Sequence, residues 1–88
     1  AFDVRISGRV QGVGYRYYAH ACAHRLGVAG YVRNLPNGTV EAVIVGTKAA
    51  CDEMIRDLER GPSTGRVDGL YVQPLAPAPA HEDFRVTY

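Results

Sequence analysis

The chain has 88 residues, of which 47% are hydrophobic and 22% charged, with a formal net charge of +1. That length holds one domain over residues 1–88 around one core, and no stretch has the unbroken apolar length of a membrane span. So small a net charge does not advertise a polyanionic partner such as nucleic acid.

Residues 2–10 alternate as a strand, with Phe2, Val4 and Ile6 on one face and Asp3, Arg5 and Ser7 on the other. The opening Ala1-Phe2-Asp3-Val4 already follows this alternation, with neither a basic start nor an apolar signal region, so the cytoplasm is the expected compartment. From Arg16 to Leu26 the period changes: Tyr18, Cys22 and Leu26 recur at steps of four beside Tyr15, Ala19 and Ala23, and Gly27 stops the helix. Residues 28–35 and 39–45 read as two strands joined by Leu35-Pro36-Asn37-Gly38, where Pro presets the turn and Gly accepts a positive φ.

Thr47 caps a second predicted helix with Cys51, Met54, Ile55 and Leu58 as its apolar stripe and Asp52, Arg56, Asp57 and Arg60 as its wet face; Gly61-Pro62 ends it. Residues 65–75 hold a fourth strand whose phase Gly69 interrupts, as a bulge would. Pro74, Pro77 and Pro79 argue against regular structure through 73–80, and 84–88 closes as a short strand. Cys22 and Cys51 fall on the apolar phase of the two helices and read as buried free thiols.

Strand-helix-strand-strand-helix-strand with one strand added is the ferredoxin-like α+β order, βαββαβ, a mostly antiparallel sheet with both helices on one face. Many unrelated activities use that fold, so function has to come from a site. The segment Gly8 to Arg16, GRVQGVGYR, joins the first strand to the first helix. Unpaired N–H groups and the positive end of a helix dipole coincide at such a place and attract anions. Gly12 and Gly14 leave the backbone open to a concave nest, and Arg16 would add a bidentate guanidinium. The spacing is neither that of a Walker loop nor that of a dinucleotide fingerprint. From this loop alone, an anion nest and an ordinary glycine-rich turn stand as equal readings. Gly30 to Gly46, GYVRNLPNGTVEAVIVG, ends its first strand on Asn34, which the interleaved topology brings near the start of the first helix; locally Asn34 also reads as a turn residue.

Together the two segments resemble the signatures of the acylphosphatase family, G-x-V-Q-G-V-x-[FY]-R and G-[FYW]-V-x-N-x-x-x-G-x-V ending in a later Gly, at every specified position. The resemblance extends over the chain's length and element order. It implies hydrolysis of the carboxyl-phosphate bond of a small acyl phosphate, with Arg16 binding the phosphate, Asn34 orienting the attacking water, and the backbone of Gln11, Gly12, Val13, Gly14 and Tyr15 as the cradle. It further implies no metal or other cofactor, inorganic phosphate or sulfate as a ligand of the site, no nucleic-acid or membrane partner, and a monomer. Leu35 stands after Asn34 where some members carry a hydroxyl residue. Gly14 occupies a variable position of the motif, so Gly12 is expected to be the less replaceable of the two.

Other constellations are weaker. His20 and His24 stand four apart without a third ligand and read as exposed helix residues. Tyr15 and Tyr31 are expected to flank the site or pack beneath it, and Tyr71 and Tyr88 to lie in strands. Two alternatives belong to other functional classes: a module that binds a phosphorylated ligand without catalysis, or serves as an accessory domain like the acylphosphatase-like domain of hydrogenase-maturation proteins that handle carbamoyl phosphate, and a ferredoxin-like nucleic-acid binder, against which the missing run of RNP-type aromatics speaks.

Overall fold

A computed structural model of the protein describes residues 1–76 and 80–88. Its elements are β1 (Phe2–Arg9), α1 (Tyr15–Leu26), β2 (Ala29–Asn34), β3 (Val40–Val45), α2 (Lys48–Arg60), β4 (Arg66–Pro74) and β5 (Phe84–Thr87). The strands form one sheet in the order β4-β1-β3-β2-β5. β1 runs antiparallel to β3 and β4, β2 antiparallel to β3, and β5 parallel to β2. This is the ferredoxin-like arrangement that the element order predicts, with the added strand on the β2 edge.

Alternation decides which face of the sheet the helices cover. Val4 and Ile6 of β1 lie opposite Ala42 and Val40 of β3, and Val32 of β2 also faces Ala42. All five side chains are fully buried. Onto them α1 brings Tyr15, Ala19 and Ala23, and α2 brings Cys51, Met54 and Leu58. Both cysteines are free and buried, and burial raises both thiols, which holds them protonated. The β2–β3 turn closes where Leu-Pro-Asn-Gly places it: Gly38 N–H donates to Leu35 O at 3.1 Å and Leu35 N–H to Thr39 O at 2.8 Å.

Three expectations need correction. Gln73 and Pro74 continue β4 rather than starting an irregular segment, because β4 is an edge strand, where a proline costs the sheet little. Pro77 and Pro79 lie outside the described residues. Asp57 is not on the wet face of α2 but buried against α1, where its carboxylate meets Arg25 and Arg60 and its carbonyl accepts the Tyr18 hydroxyl at 2.6 Å. Position 57 borders the apolar stripe, three residues from Met54 and one from Leu58, and the neighbouring helix covers that border. Tyr88 follows β5 instead of belonging to it. The bulge at Gly69 is present: the register shifts by one residue between Ser7, opposite Gly69, and Gly8, opposite Val67.

On the face away from the helices, Glu41 of β3 is buried between two arginines, with Arg33 Nε at 2.7 Å and Arg5 Nη2 at 2.9 Å from its oxygens. Burial pushes this carboxyl up, but hydrogen bonding to Arg33 and Asp3 and the charge of Arg5 outweigh it and hold it below its ordinary value. A depressed carboxylate contributes stability above its unfolded value, and that contribution is lost as pH falls through the folded one. Asp3, raised by its own burial and by Glu41, acts in the opposite direction. Glu41→Gln should therefore melt lower than the native protein at neutral pH, and its melting midpoint should fall less steeply below the ordinary carboxyl value of 4.5, as followed by circular dichroism across pH.

Gly30 accounts for the glycine that opens the second motif. Its φ is +128°, and a Cβ there would come within 1.9 Å of Val43 O on the paired strand. The clash is with backbone inside the sheet, so nothing can move aside cheaply. Gly30→Ala should cost at least about 2 kcal/mol, seen as a melting midpoint lower by roughly 10 °C or more for a domain of this size.

Candidate active site

The two helices start differently. α2 begins on Thr47, whose hydroxyl accepts the Ala50 N–H at 3.1 Å. α1 begins on Gly14, which has no side chain to cap it, and no acidic residue stands in its first turn. The first N–H groups of any α-helix have no partner within the helix. At α1 they border a cleft of about 100 Å³ lined by Val10, Gly12, Gly14, Tyr15, Arg16, Tyr17 and Asn34. Gly12 at φ +73° and Gly14 at φ +79° both hold left-handed conformations that turn the strand into the helix. A Cβ at either would meet no other atom within 4 Å. Backbone strain is thus the restriction at both, and the geometry draws no distinction between them.

Successive helical residues point about 100° apart, and three neighbours divide accordingly. Tyr15 turns into the core and donates its hydroxyl to Leu58 O of α2 at 2.6 Å. Burial raises this phenol far above its ordinary value, so it stays a neutral anchor. Arg16 turns toward the cleft, where its Nη1 donates to Thr87 O of β5 at 3.1 Å and the Tyr88 ring lies 4.5 Å from its guanidinium carbon. Tyr17 turns outward and is 64% exposed.

Of the residues expected at the cradle, Gly12, Gly14, Tyr15 and Arg16 line the cleft, and Asn34 joins them from the end of β2. The Asn34 Oδ1 is buried and has no hydrogen-bond partner among the described residues. The side chains of Gln11 and Val13 turn elsewhere. Gln11 Nε2 donates to Leu35 O and to Thr39 O, both at 2.8 Å, which ties the start of the loop to the residue after Asn34. Val13 packs against the core, and its carbonyl accepts the Thr64 hydroxyl at 2.7 Å.

Tyr31 does not reach the cleft; it sits on the other face of the sheet, its ring 5.8 Å from that of His81. His20 and His24 are exposed on α1. The contacts of Arg16 with Thr87 and Tyr88 were not legible from sequence, because they span more than seventy residues and no local pattern encodes them. Tyr17 was legible in one respect: it adjoins Arg16 and falls off the apolar stripe.

Fold and cleft define a class of protein, a ferredoxin-like α+β domain that leaves the positive end of its first helix open in a glycine-walled cleft beside an arginine. The acylphosphatase family model matches residues 2–86. An acylphosphatase of Methanothrix thermoacetophila is 46% identical over 85 residues, which are 97% of this chain and 93% of that protein. The crystal structure of acylphosphatase from Bacillus subtilis superposes with a TM-score of 0.96 at 29% identity, over 99% of this chain and 97% of that one. The structure of T. kodakarensis HypF matches with a TM-score of 0.87 at 28% identity, over 100% of this chain and 12% of that one. The chain belongs to the acylphosphatase family.

The Gln11 contacts are testable by stability alone. Gln11→Leu removes both hydrogen bonds and should lower stability by about 1–3 kcal/mol, measured by urea unfolding. Gln11→Glu, which accepts but does not donate at neutral pH, should be no better.

Proposed function

We propose that this cleft is where a small acyl phosphate is hydrolysed to a carboxylate and inorganic phosphate. The leaving group is a carboxylate whose acid has a pKa of about 4–5, so it departs without a general acid. The tasks left are to hold the phosphoryl group, to offset the charge on its oxygens, and to place a water in line with the bond that breaks. The N–H groups of the Gln11–Tyr15 loop and the first turn of α1 take the first task, with Arg16 offsetting charge beside them. Asn34 takes the third. Its Oδ1 accepts a hydrogen from water and aims the water oxygen at phosphorus.

As the new P–O bond forms and the bond to the acyl oxygen breaks, the water's proton passes to a phosphate oxygen, because an amide is too weak a base to keep it. The products are the carboxylate and inorganic phosphate, which also binds the site. The observation that carries this reading is the buried, unpartnered Asn34 Oδ1 in the same cleft as Arg16 and the uncapped helix. No helix among the described residues is long and apolar enough to cross a membrane. The match to 12% of HypF, a longer protein, is the observation behind a second reading, the same fold serving as a phospho-ligand or accessory module.

Benzoyl phosphate separates the two readings. Turnover that continues in the presence of a chelator supports the mechanism, and phosphate binding without turnover supports the module. Arg16→Ala and Asn34→Ala should each lower kcat/KM by about a hundredfold or more, while only Arg16→Ala strongly weakens inhibition by inorganic phosphate. Normal turnover by Asn34→Ala would remove the water-orienting role.

A further inference from the structure

The cleft is small, about 100 Å³, and open to solvent. With the phosphoryl group and the attacking water placed at the start of α1, the acyl portion of the substrate extends toward the rim. Few of the lining residues can meet it there. Gly12 and Gly14 present no side chain, and Val10 and Tyr15 are each 99% buried in the core. Arg16 and Asn34 are polar and engaged with the phosphoryl end in the proposed reaction. Tyr17 remains, with most of its ring in solvent. It lies outside the core, and its hydroxyl has no hydrogen-bond partner among the described residues. The fold therefore assigns it no task, although it stands on the first turn of α1, directly after Arg16.

We propose that Tyr17 is a specificity-determining residue whose ring forms the wall against which the acyl group lies, favouring acyl phosphates with flat, apolar acyl groups over those with a single methyl. A tyrosine ring suits this role because it is rigid, with only two side-chain torsions to fix, and offset stacking on a second flat group adds to the apolar area removed from water. A contact of this kind, remote from phosphorus, is made equally in the ground state and the transition state. It shows in KM and leaves kcat unchanged. The proposal rests on the placement of the phosphoryl group at the start of α1.

The test is a comparison of benzoyl phosphate with acetyl phosphate on the native protein, Tyr17→Ala and Tyr17→Phe. Alanine is the best helix former, and position 17 is exposed, so Tyr17→Ala should fold as the native protein does. It should raise KM for benzoyl phosphate roughly two- to tenfold without changing kcat, leave acetyl phosphate hydrolysis and phosphate inhibition as they are, and so lower the benzoyl-to-acetyl ratio of kcat/KM. Tyr17→Phe should keep the native ratio. A ratio unchanged in Tyr17→Ala, or an equal loss on both substrates, overturns the assignment. Failure of the underlying placement would be seen separately, as phosphate inhibition that survives Arg16→Ala.

Discussion

An α-helix that starts on glycine forgoes the hydrogen bond that a Ser, Thr, Asp or Asn side chain would give its first turn, a loss of only a few tenths of a kcal/mol. α1 accepts that loss at Gly14, while α2 in the same domain is capped by Thr47. The open helix start organises its surroundings. Gly12 and Gly14 in left-handed conformations make the chain turn sharply enough to leave the N–H groups bordering a cleft. Tyr15, fixed by Leu58 O, sets the rotation of the helix about its axis, and that rotation delivers Arg16 to the cleft and Tyr17 to its rim.

The sheet supplies the second half. β2 and β3 pair without a break from Ala29 opposite Val45 to Asn34 opposite Val40, so the position of Asn34 follows from strand register. Gln11 links the two halves with two hydrogen bonds, one of them to Leu35 immediately after Asn34. In the proposed reaction the distance between the phosphate cradle and the water-orienting amide is therefore set by backbone carbonyls and one side-chain amide, with no flexible charged residue in between. On the far side of Arg16, Thr87 O of β5 and the ring of Tyr88, the residue after it, hold the guanidinium. Asn34 and Arg16 are thus held by strands that are far apart in sequence.

The elements were legible because their signals are local. Strict alternation over Asp3 to Ser7, the four-residue steps from Tyr18 to Leu26, Thr47 before an amphipathic run, and Leu-Pro-Asn-Gly between two apolar segments each belong to a single stretch of chain. The expectations that failed depended on neighbours. Asp57 reads as a solvated charge until α1 lies over it, and Pro74 reads as a breaker until β4 is known to be an edge strand with one side free of pairing. Tyr31 sits beside an informative motif, yet strand alternation sends it to the face opposite the helices.

By itself the sequence determined the order of elements, the family, and the two segments that carry the candidate site, because periodicity, turn residues and motif spacing are properties of contiguous chain. Only the tertiary structure decided that the Gln11 side chain fastens the loop instead of entering the cleft, that Asn34 Oδ1 has no partner among the described residues in the cleft it shares with Arg16, and that Tyr17 is exposed beside the same cleft. The reason is physical. These outcomes depend on which groups meet across twenty to seventy residues once the sheet has formed, and a local pattern constrains the direction of a side chain without naming its partner.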